Sequence, residues 1–137
     1  MASELKVDKF TGVTTAGSIL VTGEGNSTTT NLQQGLCKQW IKFSSANHST
    51  ADSFNTTSIT DNGTADTTIT IANDMASANY SIGALATDYH VHEKDYNGTD
   101  ATATLYRLYT FLVSSTNGST TANEEDRVYA HIFGDLA

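Results

Sequence analysis

Two histidines separated by one residue are the strongest candidates for metal chemistry in this chain. His90 and His92 flank Val91 in the stretch T-D-Y-H-V-H-E-K-D-Y, and imidazole nitrogens are common metal ligands. In a β-strand, residues two apart share a face, so both rings would point the same way, about 7 Å apart. Two imidazoles from one chain would chelate an ion only loosely. The alternative is an exposed or interface strand whose histidines hydrogen-bond to their neighbours.

Carboxylates surround the same stretch and raise the question of catalysis. Asp88, Glu93, Asp95 and Asp100 lie within thirteen residues of each other, and paired carboxylates can hydrolyse glycosides. Such enzymes usually need a long groove, and this chain is short. A solvated strand edge whose charges discourage edge-to-edge pairing is the more ordinary interpretation. Because no G-x-S-x-G motif and no phosphate-binding glycine loop is present either, the sequence predicts a protein that is not an enzyme.

Aromatic side chains suggest a binding role instead. Flat rings pack well against the faces of sugars, and most of the tyrosines and Trp40 are expected in the core or at a subunit interface. Tyr89 and Tyr96 lie beside turns and acidic residues. They are therefore our candidates for binding a glycan ligand.

Charge and composition exclude several classes of partner. The formal net charge is −8, which argues against binding nucleic acid or an anionic membrane, since both require Lys or Arg to neutralise phosphates. No stretch approaches the roughly 20 apolar residues of a membrane-spanning helix, and the first residues lack the pattern of a secretory signal.

Cys37 is the single cysteine, which excludes an internal disulfide framework and a cysteine-based zinc site. We expect Cys37 to be a small buried hydrophobic residue.

The composition predicts an all-β protein. Proline is absent, and Ser and Thr form roughly a quarter of the chain, far above ordinary usage. Threonine suits the exposed face of a pleated sheet and is poor in helices.

Residues 1–35 contain five glycines and only short apolar runs, so they are predicted to form an extended N-terminal attachment or oligomerisation segment. Residues 36–137 read as short strands and turns, which predicts an antiparallel β-sandwich or jelly-roll-like domain.

Three local predictions follow from this pattern. Residues 53–60 are interpreted as one strand, with a β-bulge near Thr56–Ser58 if Phe54 and Ile59 both face the core. The D-N-G sequence at 61–63 is predicted to form a tight turn. Residues 102–115 include apolar side chains at helical spacing, but a strand that is apolar on both faces explains the run better. One face would pack in the core and the other against a neighbouring subunit.

Several stretches of this chain resemble a domain of tail-fibre-like structural proteins of marine bacteriophages, particularly those that infect cyanobacteria. They are A-D-S-F-N-T-T-S-I-T-D-N-G-T-A-D-T-T-I-T-I, A-N-Y-S, Y-R-L-Y-T-F and V-Y-A-H-I-F-G-D. The start A-S-E-L-K-V-D-K and the segment N-L-Q-Q-G-L-C-K-Q-W-I-K-F are also similar to that family. The resemblance covers most of the chain and includes no catalytic motif.

The resemblance implies a virion protein at the particle surface, assembled in the host cytoplasm. It implies a homotrimer that contacts other virion proteins through its N-terminal segment and binds a host-surface glycan, without a required cofactor. A capsid-decoration or head-fibre protein attached to the shell remains an alternative, and a small glycan-active enzyme is a third. In a trimer, His90 and His92 of three chains would offer six nitrogens around one axis, an arrangement similar to the H-x-H metal sites of phage fibre tips.

Overall fold

The chain divides into two compact units, Met1–Leu36 and Cys37–Ala137. The computed structural model describes residues 4–12, 19–22, 28–93 and 101–137. None of the helices in these ranges has the length and apolar character needed to cross a membrane.

The N-terminal unit contains two short strands and one turn of helix. Strand β1 (Leu20–Thr22) pairs antiparallel with β2 (Thr29–Asn31), and α1 (Leu32–Gly35) follows directly. The Leu32 N–H donates a hydrogen bond of 2.8 Å to the Ile19 carbonyl. None of the residues of this unit whose burial the structure describes is buried. An isolated two-stranded hairpin is at best marginally stable in water, and the described residues of this unit form no core of their own.

The C-terminal unit consists of two antiparallel sheets. The four-stranded sheet has the order β4-β3-β11-β7 and comprises β3 (Cys37–Ser44), β4 (Ser49–Phe54), β7 (Ser81–Ala86) and β11 (Val128–Phe133). The five-stranded sheet comprises β5 (Thr56–Asp61), β6 (Asp66–Ile71), β8 (His90–Glu93), β9 (Leu105–Val113) and β10 (Thr120–Ala122). Strand β9 is central, because it pairs with β6 and β10 along one edge and with β8 along the other.

The inner faces of the two sheets share one apolar core. The four-stranded sheet contributes the buried residues Ile41, Phe43, Ala86, Val128, Ala130 and Ile132, and the five-stranded sheet contributes Ile69, Ile71, Tyr106 and Leu108. The prediction of an all-β, antiparallel sandwich is therefore confirmed. A jelly-roll connectivity is not established, because β3–β4 and β5–β6 each pair within one sheet.

A corner at Asn55 corrects the prediction of one strand over residues 53–60. Asn55 has a φ of 57°, a left-handed conformation that asparagine tolerates well, and it ends β4 in one sheet before β5 begins in the other. Its side-chain amide donates to the Lys38 carbonyl (2.9 Å) and its side-chain oxygen accepts from the Asn73 N–H (2.7 Å). Phe54 is consequently 54% exposed on an outer face. The β5–β6 register does shift between Thr56 and Ser58, where a bulge was predicted, but the condition for that prediction, Phe54 in the core, is not met.

Two other local predictions are confirmed and one is wrong. The D-N-G sequence forms the β5–β6 turn, where Gly63 has a φ of 122° and its N–H donates to Asp61 Oδ1 at 2.7 Å. Leu105–Val113 is a strand, with buried and half-buried residues in alternation up to Phe111. Cys37 is half-buried instead of buried, because it begins β3 at the margin of the sheet. Its Sγ lies 3.0 Å from the Gln39 carbonyl.

A buried hydrogen bond connects the two sheets through the core. The Tyr106 hydroxyl, on β9, donates to Gln39 Oε1, on β3, at 2.8 Å. The Gln39 amide in turn donates to Thr56 Oγ1 at 2.7 Å. Burial raises the pKa of Tyr106 well above its usual range, so the hydroxyl keeps its proton and remains a donor. Among the described residues, no buried side-chain nitrogen or oxygen lacks a hydrogen-bond partner.

We expect Tyr106→Phe to lower the free energy of unfolding by about 1–3 kcal/mol, because Gln39 Oε1 would remain buried without its donor. Chemical denaturation at neutral pH measures the change. The matched control is Tyr129→Phe, whose hydroxyl lies on a ring that is 40% exposed, and its change should stay within about 0.5 kcal/mol. Equal effects of the two substitutions would contradict the role of the buried hydrogen bond.

Candidate functional site

The two histidines belong to a cluster of four rings on the outer face of the five-stranded sheet. In the β8–β9 pairing, His90 lies opposite Phe111 and His92 lies opposite Tyr109. The ring centroids are 5.4 Å apart for His90 and Phe111, and 5.1 Å apart for His92 and Phe111. Both imidazoles are exposed and the other two rings are half-buried. The prediction that the histidines share a face is therefore confirmed, and we call this set the ring cluster.

The hydrogen bonding of His92 leaves one ring nitrogen available to a ligand. His92 Nδ1 lies 2.6 Å from the Glu93 carbonyl oxygen. A carbonyl oxygen only accepts, so Nδ1 carries the proton and Nε2 of the neutral ring holds the lone pair. Metal-binding histidines commonly have their second nitrogen fixed in this way. The described residues contain no group of three or more His, Cys, Asp or Glu side chains suited to a metal ion, so a site at this pair needs ligands from outside these residues.

The metal prediction can be tested by elemental analysis of the purified protein after incubation with Fe²⁺ and removal of the excess. A site on a trimer axis would retain about one ion per three chains, and His90→Ala or His92→Ala would abolish retention. His48→Ala is the matched control, because His48 lies near Asp61 and Thr67 instead. Iron content that is unchanged in the His90 and His92 variants would reject the site.

The structure describes only some of the other residues that were predicted for a site. Tyr89 is half-buried in the bend before β8, while Tyr96, Asp95 and Asp100 lie outside the described residues. The Asp88 N–H donates to Glu125 Oε2 at 3.1 Å, and Glu93 Oε1 accepts from the Ala101 N–H at 3.3 Å. The ligand-binding prediction for Tyr89 and Tyr96 stays a prediction.

A cavity of about 380 Å³ opens between β7 and β8. Its lining includes one carboxylate and one imidazole and consists of Ile82, Gly83, Ala84, Val91, His92, Glu93 and Leu108. The Tyr80 hydroxyl lies 2.8 Å from the Thr102 carbonyl oxygen and 3.1 Å from that of Leu105. Burial raises the pKa of Tyr80 to about 12, with a smaller contribution from the charge of Glu93.

The raised tyrosine pKa values predict that stability falls in alkali. In the unfolded chain a tyrosine loses its proton near pH 10, whereas folded Tyr80 keeps it to about pH 12. The stabilising difference is therefore complete below pH 10 and is lost as the pH rises from about 10 to 12. Urea midpoints measured across this range should fall less steeply for Tyr80→Phe than for the wild type. Tyr129→Phe should retain the wild-type slope, and a wild-type slope in Tyr80→Phe would contradict the assignment.

The outer face of the four-stranded sheet has an apolar surface that sequence reasoning did not identify. Its large side chains are between 37% and 66% exposed, and they are Trp40, Phe54, Leu85, Tyr129 and Phe133. We call these five residues the apolar face. The stretch V-Y-A-H-I-F indicates this surface, because the side chains on both sides of the strand are apolar or aromatic. Val128, Ala130 and Ile132 point into the core, so the residues between and after them point outward.

Comparison with known proteins supplies no identity for this chain. No family model, curated protein or solved structure matches it.

Proposed function

We propose that this chain is a structural protein of a bacteriophage particle, acting as a homotrimeric tail-fibre or appendage subunit without catalytic activity. Its N-terminal segment, residues 1–35, attaches it to other virion proteins. Its β-sandwich is displayed at the particle surface after assembly in the host cytoplasm. The resemblance of its motifs to tail-fibre-like proteins of marine phages supports the location.

The exposed apolar side chains of the N-terminal unit are the observation on which the attachment role depends. Leu5 is 74% exposed, Phe10 is 62% exposed and Leu20 is 56% exposed. Burying each such side chain is worth about 1.5–3 kcal/mol. A segment without a core gains this energy only by docking, which supports its use as an anchor on another protein.

A host-surface glycan is the ligand that we propose for the displayed domain. The ring cluster presents aromatic surface together with the hydroxyl of Tyr109, and sugars are commonly bound by such combinations. A glycan-active enzyme is less well supported, because, among the residues that the structure describes, Glu93 contributes the only carboxylate to the lining of the cavity. Retaining and inverting glycosidases typically need two.

A capsid-decoration or head-fibre role is the second candidate. It uses the same exposed N-terminal side chains as an anchor, with the capsid shell in place of the tail. The two roles differ only in where the protein sits on the particle. Immunogold electron microscopy with antibodies against residues 37–137, on phage particles whose genome carries this sequence, distinguishes them. Labelling at the tail supports the fibre role and labelling of the shell supports the decoration role, whereas unlabelled particles would reject both.

Deleting residues 1–35 should separate attachment from folding. All of the buried core residues lie between Ile41 and Ile132, so the truncated protein should remain soluble and keep a cooperative thermal transition. It should no longer co-sediment with particles that lack the full-length protein. Full-length protein added to the same particles is the positive control. Undiminished co-sedimentation of the truncated protein would show that the segment is not the anchor.

A further inference from the structure

We infer that the apolar face of the four-stranded sheet is the contact surface between copies of this chain. This inference depends on the homotrimer of the proposed function, and it assigns the contact to the β-sandwich in addition to any contribution of the N-terminal segment. Four observations carry it: the continuity of the face, its area, the side chains that fill its glycine position and cover one of its rings, and its charge.

The apolar side chains form a continuous surface across all four strands. Phe54 on β4 is opposite Trp40 on β3, and Trp40 is opposite His131 on β11. In a neighbouring row, Tyr129 lies opposite Leu85 on β7. Large side chains on a cross-strand row are within contact distance of each other. The surface is therefore one patch and not a scatter of single exposed residues.

The area of the patch is sufficient to be the centre of a stable interface. An aromatic side chain has roughly 150–250 Å² of surface, so five large side chains about half exposed present on the order of 500 Å². Monomeric proteins rarely expose a larger apolar patch. Each copy would bury about 500 Å² from these residues, so a trimer with this face toward its axis would bury about 1,500 Å² in all before the polar rim is added.

Side chains of neighbouring strands fill the one glycine position on this face and cover one of its rings. A Cβ at Gly83 would lie 2.4 Å from His131 Nε2, so the imidazole of His131 lies directly over the glycine and fills the position of its missing side chain. The Lys42 ammonium group lies 5.7 Å from the centroid of the Tyr129 ring. That ring is therefore covered on one side and is poorly placed to stack on a sugar.

The face also avoids the electrostatic repulsion that opposes association of an acidic chain. The whole protein has a formal net charge of −8. The solvent-accessible outward positions of the four strands carry Lys42 and Asp52, which face each other and give a formal charge of zero. Like charges facing each other across an interface cost free energy. Copies that meet at this face bring little of the negative charge of the rest of the protein together.

The opposite face of the sandwich has a different chemistry. Its outward residues on β6 and β9 include Thr68, Thr70 and the ion pair of Asp66 with Arg107, whose Nη2 lies 2.6 Å from Asp66 Oδ2. Among the described residues, the prominent rings there are those of the ring cluster, at one end of the sheet. Association through the apolar face would leave the ring cluster accessible to a ligand and would keep it away from the trimer axis, so this inference and the metal site of His90 and His92 on that axis exclude each other.

Light scattering of the full-length protein, with charged substitutions at opposite ends of the apolar face, tests this inference. Phe54→Lys and Leu85→Lys alter side chains that are 54% and 66% exposed, so neither should disturb the core. Leu112→Lys is the matched control, since Leu112 is 44% exposed on the five-stranded sheet. Circular dichroism of each variant checks the fold, and Leu85→Gln provides a milder substitution if a lysine variant unfolds.

We expect the wild type to have three times the 14.6 kDa mass of one chain. Phe54→Lys and Leu85→Lys should raise the dissociation constant at least about tenfold, and Leu112→Lys should leave it unchanged.

A monomeric wild type, unchanged association in both face variants, or equal weakening by Leu112→Lys would overturn the inference. A dimer that dissociates in the face variants alone would support the face and count against the trimer of the proposed function. A face that fails in this test while residues 1–35 still mediate attachment would leave the proposed function intact.

Discussion

In the C-terminal unit, the packing of two sheets around one core decides which side chains of each strand point inward and which point outward. Each strand buries alternate residues, so the inward set of β9 and β11 determines which residues point outward. The hydrogen bond between Tyr106 and Gln39 joins the sheets within that core. A shift of β9 or β3 by one residue would break this bond and exchange the inner and outer faces of that strand. The register of β9 and β3 is thus held by both apolar burial and a specific polar contact.

The same alternation gives the sandwich two outer faces of unequal character. Strand β11 is apolar or aromatic on both parities, so burying Val128, Ala130 and Ile132 necessarily exposes Tyr129, His131 and Phe133. Strand β6 alternates isoleucine with threonine, so its outer side is polar. One sheet therefore offers a surface for association and the other offers polar groups with a small set of rings. A subunit of a surface appendage needs both, one to hold its neighbours and one to meet its target.

The hydrophobic effect drives both proposed contacts of the chain, one through the N-terminal segment and one through the apolar face of the four-stranded sheet. In the N-terminal unit, apolar side chains are exposed because the described segment has no layer to cover them. On the four-stranded sheet, they are exposed because the core has already been filled by the other parity of the same strands. Both sets gain free energy when they leave water, but the sheet is already ordered and loses less conformational entropy on docking than an extended segment does.

The sequence by itself determined the strand-forming character of this protein, the D-N-G turn, and the shared face of His90 and His92. These are local properties, since they follow from residue preferences and from a repeat of two along a strand. Tertiary structure decided the corner at Asn55, the outward position of Phe54, and the rows that bring Trp40, Tyr129 and Leu85 together. Those features depend on which strands become neighbours and on which side of each strand is buried. That choice is made by the packing of both sheets at once, so no single stretch of sequence contains it.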